Sequence, residues 1–317
     1  MLDLVGKRNL WFLISGLLLL PGLISLAFNG LELGIDFTGG TNWELRFERE
    51  PNTDDVNRTL SDHGFGGSLV QLAEDNTVII KMDELREGSP EKTAIENDLR
   101  EQFGEFEEMS LVSVGPSAGR AIRDRAVFAV GLAAVGILLY IAFAFRNTQN
   151  PFLYGLCAII AMLHDALFVL GVFSILGWLA GVEIDALFVT AMLTIIGFSV
   201  HDSIVVFDRI RENLAAKLAP TFEEIVNYSI VQTLVRSINT SLTVVLTLAA
   251  LWLFGGESTR WFVFALLIGV VAGTYSSIFN AAQLLVAWEH GDIKRLFTFW
   301  RRDQRAAPEG SAPARAR

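Results

Sequence analysis

The chain has 317 residues, of which 52% are hydrophobic and 19% charged. A mean hydropathy of +0.43 with so many charges excludes a single soluble globule and implies membrane spans plus a polar domain. The net charge of −10 is unevenly spread: between Gly30 and Arg120 there are 20 acidic and 8 basic residues, which argues against nucleic-acid binding by that segment. The one cysteine, Cys157, lies in an apolar run and cannot support an internal disulfide framework.

Lys7 and Arg8 open an apolar run that starts like a secretory signal. It continues through Pro21 to Phe28 with no small-x-small cleavage site, which predicts an uncleaved anchor. Six spans are predicted, at 10–29, 126–145, 152–178, 184–207, 230–254 and 261–288. Lys and Arg in the short loops set their orientation. Lys7, Arg8, Arg146, the Arg209–Lys217 loop and the tail with Lys294, Arg295, Arg301 and Arg302 fall on the cytoplasmic side, while the short outer loops hold only Arg260. The expected plan is a cytoplasmic start and first helix over 1–29, an extracytoplasmic domain over 30–122, five further helices over 123–290, and a basic cytoplasmic tail over 291–317.

In the outer segment, 42–47 alternates as a strand does and 53–63 reads as a short helix. Strands are predicted at 68–72 and 77–82 around an Asp75-Asn76 turn. Ser89-Pro90-Glu91 is a helix start, with serine as N-cap and proline at the first helical position; that helix runs to Phe103 and a last strand covers 109–114. The order β-α-β-β-α-β predicts a ferredoxin-like α+β domain of split βαβ type. His63 is its one histidine, and no catalytic constellation accompanies it, so a folding and interaction module is expected. Between anchor and domain lies Gly34-Ile-Asp-Phe-Thr-Gly-Gly-Thr41. Gly39 and Gly40 allow backbone geometry closed to other residues, and Asp36 and Thr38 can hydrogen-bond locally, so a structured turn at the membrane surface is predicted. No lysine follows, which argues against a phosphate loop. Arg120, Arg123, Asp124 and Arg125 mark the interface before the second span.

Ionisable residues inside spans are costly and face a partner or a wet cavity. His164-Asp165 lies near the middle of the third span, His201-Asp202 in the fourth, and Arg236 opens the fifth apolar run. At about 1.5 Å rise per residue, Asp202 and Arg236 sit roughly 10 and 9 Å to the cytoplasmic side of their span centres. Matching depth makes Arg236 the expected partner of Asp202. Thr240, Thr243 and Thr247 recur at helical spacing with Arg236, so hydroxyls that can hold water share its face. Asp165 lies roughly half a leaflet away and is expected to be a separate element. Two readings of the acid–base pair stay open: a static pair that fixes the bundle, and a pair that changes partner or protonation in a proton relay. Arginine keeps its proton, so Asp202 is then the titrating member. In the sixth span Gly269, Gly273, Ser276, Ser277, Asn280 and Gln283 share a spacing that predicts close helix packing. Adjacent His and Asp point about 100° apart on a helix, which argues against a metal site. No nucleophile–base triad and no nucleotide-binding loop is visible, so neither an enzyme nor a cofactor is expected.

Three stretches carry a family resemblance: Gly34–Thr41 after the first span, Ser203-Ile-Val-Val-Phe-Asp-Arg-Ile-Arg-Glu-Asn213 after the intramembrane aspartate, and Arg236-Ser-Ile-Asn-Thr-Ser241. With His164-Asp165 they make the chain, over about residues 8 to 290, similar to the SecF family of bacterial protein export. The resemblance implies half of an RND-type transporter that works with SecD and the proton-motive force in the cytoplasmic membrane. It implies SecYEG, YajC- or YidC-type subunits and preproteins as partners, and Asp202 and Arg236 as proton-pathway residues. His201 departs from the asparagine more often expected there. The competing readings are a proton-driven RND-type half for small molecules or lipids, and a structural scaffold.

Overall fold

The computed structural model describes residues 2–73, 75–148 and 150–291, so the basic tail expected beyond Gly291 lies outside the described residues. Helix α1 (Arg8–Phe28) leads through a one-turn helix α2 (Ile35–Thr38) into a small domain made of β1 (Gly40–Phe47), α3 (Thr53–Asp62), β2 (Leu69–Leu72), β3 (Thr77–Met82), α4 (Pro90–Phe103) and β4 (Phe106–Val114). Five further long elements follow: α5 (Pro116–Ala144), α6 (Pro151–Ala180), α7 (Ala186–Ala215), α8 (Phe222–Phe254), and α9 (Glu257–Ser276) continued by a π-turn (Ser277–Ala281) and α10 (Ala282–Glu289). Among the described residues, six helical stretches are long and apolar enough to cross a membrane.

In the small domain the strand order is β2-β3-β1-β4 with every pair antiparallel, the connectivity of a doubled split βαβ unit. Strand alternation buries Trp43, Leu45 and Phe47 from β1 with Val78, Ile80 and Met82 from β3. Val56 and Leu60 of α3, and Ile95 and Leu99 of α4, recur four residues apart and close over that face as one core. The local signals act as expected. Ser89 accepts a hydrogen bond from the Lys92 amide at 3.2 Å, and Asp75 and Asn76 both take φ of 55° in the β2–β3 turn.

The helix ends differ more from expectation. α5 begins at Pro116, about ten residues before its apolar run, so Arg120, Arg123, Asp124 and Arg125 lie on the helix itself. Proline at the first helical position starts a helix wherever the backbone permits, without regard to hydropathy. The helices also pack unequally: α6, α7 and the last span are half buried, whereas α5 and α8 remain mostly exposed. α1 lies against α6 at Gly22 and Gly171, where a Cβ on Gly22 would come within 2.7 Å of the Gly171 Cα.

Candidate functional site: two intramembrane aspartates

On α7 the helical period turns Ser199, Asp202, Ser203 and Val206 inward and leaves His201 exposed. The inward face packs on α9, whose Gly269 and Gly273 bear out the expected close approach. A Cβ on Gly269 would overlap the Ile195 side chain, and one on Gly273 would lie 3.1 Å from the Ser199 Cβ. With backbones this close, hydroxyls bridge them. Ser203 Oγ donates to Ser277 Oγ at 3.0 Å, and Ser277 Oγ reaches the Ser199 carbonyl at 3.0 Å.

Asp202 is only 8% exposed. Its Oδ1 accepts a hydrogen bond from Ser237 Oγ of α8 at 2.7 Å, while Oδ2 is buried with no hydrogen-bond partner. The depth match between α7 and α8 therefore holds, but the residue that meets Asp202 is Ser237. Arg236 points to the exposed side of α8 and makes no ion pair with Asp202. Depth is fixed by counting residues. Rotation is not, and a step of one residue turns a side chain about 100°. Asn239, Thr240, Thr243 and Thr247 continue the exposed strip from Arg236. Their threonine hydroxyls donate to carbonyls of their own helix, Thr240 to Arg236 at 3.0 Å and Thr243 to Thr240 at 2.7 Å, which leaves oxygen lone pairs outward. His201 is exposed as well.

Asp165 on α6 is 1% exposed and is not a separate element. Oδ2 accepts from Ser199 Oγ of α7 at 2.5 Å and from Ser276 Oγ of α9 at 2.6 Å, and Oδ1 lies 3.0 Å from His164 Nδ1. Ser199, which meets Asp165, and Asp202 are three residues apart on one helix, so α7 carries the two contacts about one turn from each other. Of the serines that hold the aspartates, Ser276 belongs to the small and polar spacing noted in the sixth span, whereas Ser199 and Ser237 carried no signal of their own. The sixth-span spacing suggested packing; only the facing helices make these serines hydrogen-bond donors to a carboxylate.

Gly34–Thr41 forms a joint beneath the small domain. The Gly34 amide donates to the Ile184 carbonyl at 2.9 Å, and Asp36 Oδ2 accepts from the Ala186 amide at 2.8 Å, which ties the motif to the start of α7. Gly39 and Gly40 have φ of 82° and 127°, and a Cβ on Gly39 would come 2.7 Å from Pro116 Cα. Lys81 and Glu183, paired at 2.5 Å, link the sheet to the same loop. Burial first, and then the neighbouring Asp36 charge, push the Asp185 carboxyl above its ordinary range against the hydrogen bond from the Phe188 amide.

These features have known counterparts. Residues 94–291 match the profile of the protein export membrane protein SecD/SecF, C-terminal part, and residues 24–50 match the SecD/SecF GG motif. The chain belongs to the SecD/SecF family. The Gly39-Gly40 joint lies within the residues that match the GG motif. A protein translocase subunit SecF from Thermobaculum terrenum is 53% identical over 98% of this chain and 100% of its own length. Its counterpart from Anaerolinea thermophila is 44% identical over 94% of this chain and 97% of its own length. The translocase subunit SecDF of Bacillus subtilis is 34% identical over 92% of this chain, which spans 39% of that longer protein. The crystal structure of a Thermus SecDF, a translocon-associated membrane protein, superposes with a TM-score of 0.77 at 33% identity. It covers 91% of this chain, and this chain covers 39% of it.

Proposed function

We propose that this multi-pass membrane protein is the SecF-type subunit of a protein translocase, joined to a SecD-type partner, and that proton passage at Asp202 drives its work. The observation that carries this reading is the state of Asp202: a carboxylate deep in a span, held by one serine, with its second oxygen unsatisfied. Carboxylates in that position occur where a proton or a partner completes the site. The exposed strip of Arg236, Asn239, Thr240 and Thr243 beside it is costly toward lipid and supports a second helical half as its cover. Relatives in which SecD and SecF form one longer chain support SecD as that half. A static acid–base scaffold calls for an ion pair between Asp202 and Arg236, and the contact that Asp202 makes instead, to Ser237, favours the relay.

In this reading the protein lies in the bacterial cytoplasmic membrane with the N-terminus inside and the small domain outside. The joint at Gly34–Thr41 passes movement at the α7 start to that domain, which takes up preproteins delivered by SecYEG. YajC- or YidC-type subunits complete the assembly. Chemistry on covalent bonds has no part in it. The alternative, a small-molecule or lipid transporter half, calls for a large porter domain with a ligand cleft; the outer domain here is one four-stranded sheet with two helices over one core.

The test is Asp202→Asn, assembled with its SecD partner in vesicles that also hold SecYEG. Proton uptake and proton-dependent export are both expected to be lost while assembly is kept. Normal export by that variant would overturn the reading.

A further inference from the structure

We infer that Asp165 is a second proton-binding site of the membrane domain, built around a hydroxyl that can exchange acceptors. The inference deepens the proton-driven reading above and rests on it for its purpose, though not for its chemistry.

The geometry allows this carboxyl group to hold a proton without losing a contact. Asp165 is 1% exposed, and both of its oxygens are engaged by Ser199, Ser276 and His164. Ser276 has two acceptors within reach: Asp165 Oδ2 at 2.6 Å and the Gly273 carbonyl at 3.3 Å, one turn earlier on its own helix. When Oδ2 is ionised, Ser276 donates to it. When Oδ2 takes a proton from a hydronium ion, the new O–H donates to Ser276 Oγ, whose hydrogen swings to the Gly273 carbonyl; Ser277 Oγ, which donates to that carbonyl at 2.8 Å, keeps the Ser199 carbonyl at 3.0 Å as its acceptor. One O–H bond breaks on the hydronium ion and one forms at Asp165, the serine O–H only rotates, and neither Asp165 nor Ser276 loses a hydrogen-bond partner in either state. The π-turn begins at Ser277, directly after this serine, and such turns recur at functional positions in helices.

The charged surroundings are sparse. α6 itself supplies His164, whose Nε2 is buried without a hydrogen-bond partner. α7 supplies Asp202, about one turn along. The last turn of α9 and the π-turn supply uncharged groups, the hydroxyls of Thr274, Tyr275, Ser276 and Ser277 and the amide of Asn280, and the parts of α1 and α5 within their apolar runs carry no charge. Arg236 of α8 is turned outward. Among the described residues, no arginine or lysine is paired with Asp165. A proton held within the Asp165–His164 pair is therefore the counter-charge at hand, and Ser199 and Ser203 on one face of α7 place the site next to the level of Asp202.

Infrared difference spectroscopy between neutral and acid pH tests this on the full chain assembled with its SecD-type partner in lipid. The Asp202→Asn complex is expected to keep a protonated-carboxyl stretch that disappears in Asp202→Asn/Asp165→Asn. Ser276→Ala is expected to move that stretch to higher frequency, because the acid loses a hydrogen-bond partner, an effect that a purely structural serine would not produce. Identical spectra for the single and double aspartate variants would overturn the inference, as would a band indifferent to Ser276→Ala. Should Asp165→Asn prevent assembly, Ser276→Ala in the Asp202→Asn background carries the test alone. Normal export by Asp202→Asn would defeat the relay reading and leave this site standing; a missing band would do the reverse.

Discussion

Ser237, and not Arg236, meets Asp202: its hydroxyl donates to Oδ1 at 2.7 Å while the arginine turns to the open side of α8. Adjacent residues on one helix thus divide the work, one holding the carboxylate in this chain and the other facing outward.

Replacing Ser237 by alanine removes the one hydrogen bond that the Asp202 carboxyl makes among the described residues. A loss of about 1 kcal/mol is expected for an interhelical hydrogen bond in a membrane, read as a lower melting temperature of the purified complex. Arg236→Ala, which breaks no contact to Asp202, is expected to leave melting unchanged within about 0.5 kcal/mol and yet to stop proton uptake. Equal destabilisation by both would contradict the division of roles.

The α1–α6 crossing depends on two glycines in backbone contact. A methyl at Gly22 would lie 2.7 Å from the Gly171 Cα, whereas one at Gly16 meets nothing within 4 Å. Gly22→Ala should therefore cost about 1–3 kcal/mol through overpacking, and Gly16→Ala should cost nothing. Thermal unfolding of the two variants side by side decides it.

At the joint, Gly39 combines a φ of 82° with a Cβ direction aimed at Pro116. Gly39→Ala is expected to cost about 1–3 kcal/mol in backbone strain and to speed hydrogen exchange in 34–41 and in the first turns of α5. Gly67→Ala, in open space, serves as control. Unchanged exchange in the Gly39 variant would show that the joint tolerates a side chain.

The small domain carries its own pH dependence. Burial by itself would push Glu108 up, but the hydrogen bonds from Lys92 Nζ and Trp43 Nε1 outweigh it and hold the carboxyl below its ordinary value. Burial would likewise lower Lys92, and the hydrogen bonds to Glu108 and Glu96 reverse that and raise it. The Glu108 contribution to stability is thus present above its unfolded value and is lost as pH falls through the lowered one; the Lys92 contribution is lost as pH rises through the raised one. Glu108→Gln should flatten the acid limb of domain stability, measured by hydrogen exchange of β1 and β4 peptides after correction for intrinsic rates. An acid limb as steep as before would place the titrating group elsewhere.

Much of this protein is legible in the sequence because its strongest signals are local. Six apolar runs, the Ser89-Pro90 start, the Asp75-Asn76 turn and the alternation in β1 and β3 each follow from residues within a turn or two of one another, and each forms as expected. Depth in the membrane is equally local, since it needs only a count from the span centre at constant rise. That count brings α7 and α8 together at the level of Asp202. Which side chain answers the carboxylate is a matter of helix rotation, and rotation is set by what packs on every other face. Ile195 and Ser199 against the α9 glycines turn α7 so that Asp202 reaches Ser237, and the same packing brings Ser199 and Ser276 onto Asp165. A residue count resolves a helix to one turn along its axis; only close-packed neighbours resolve the 100° between one residue and the next.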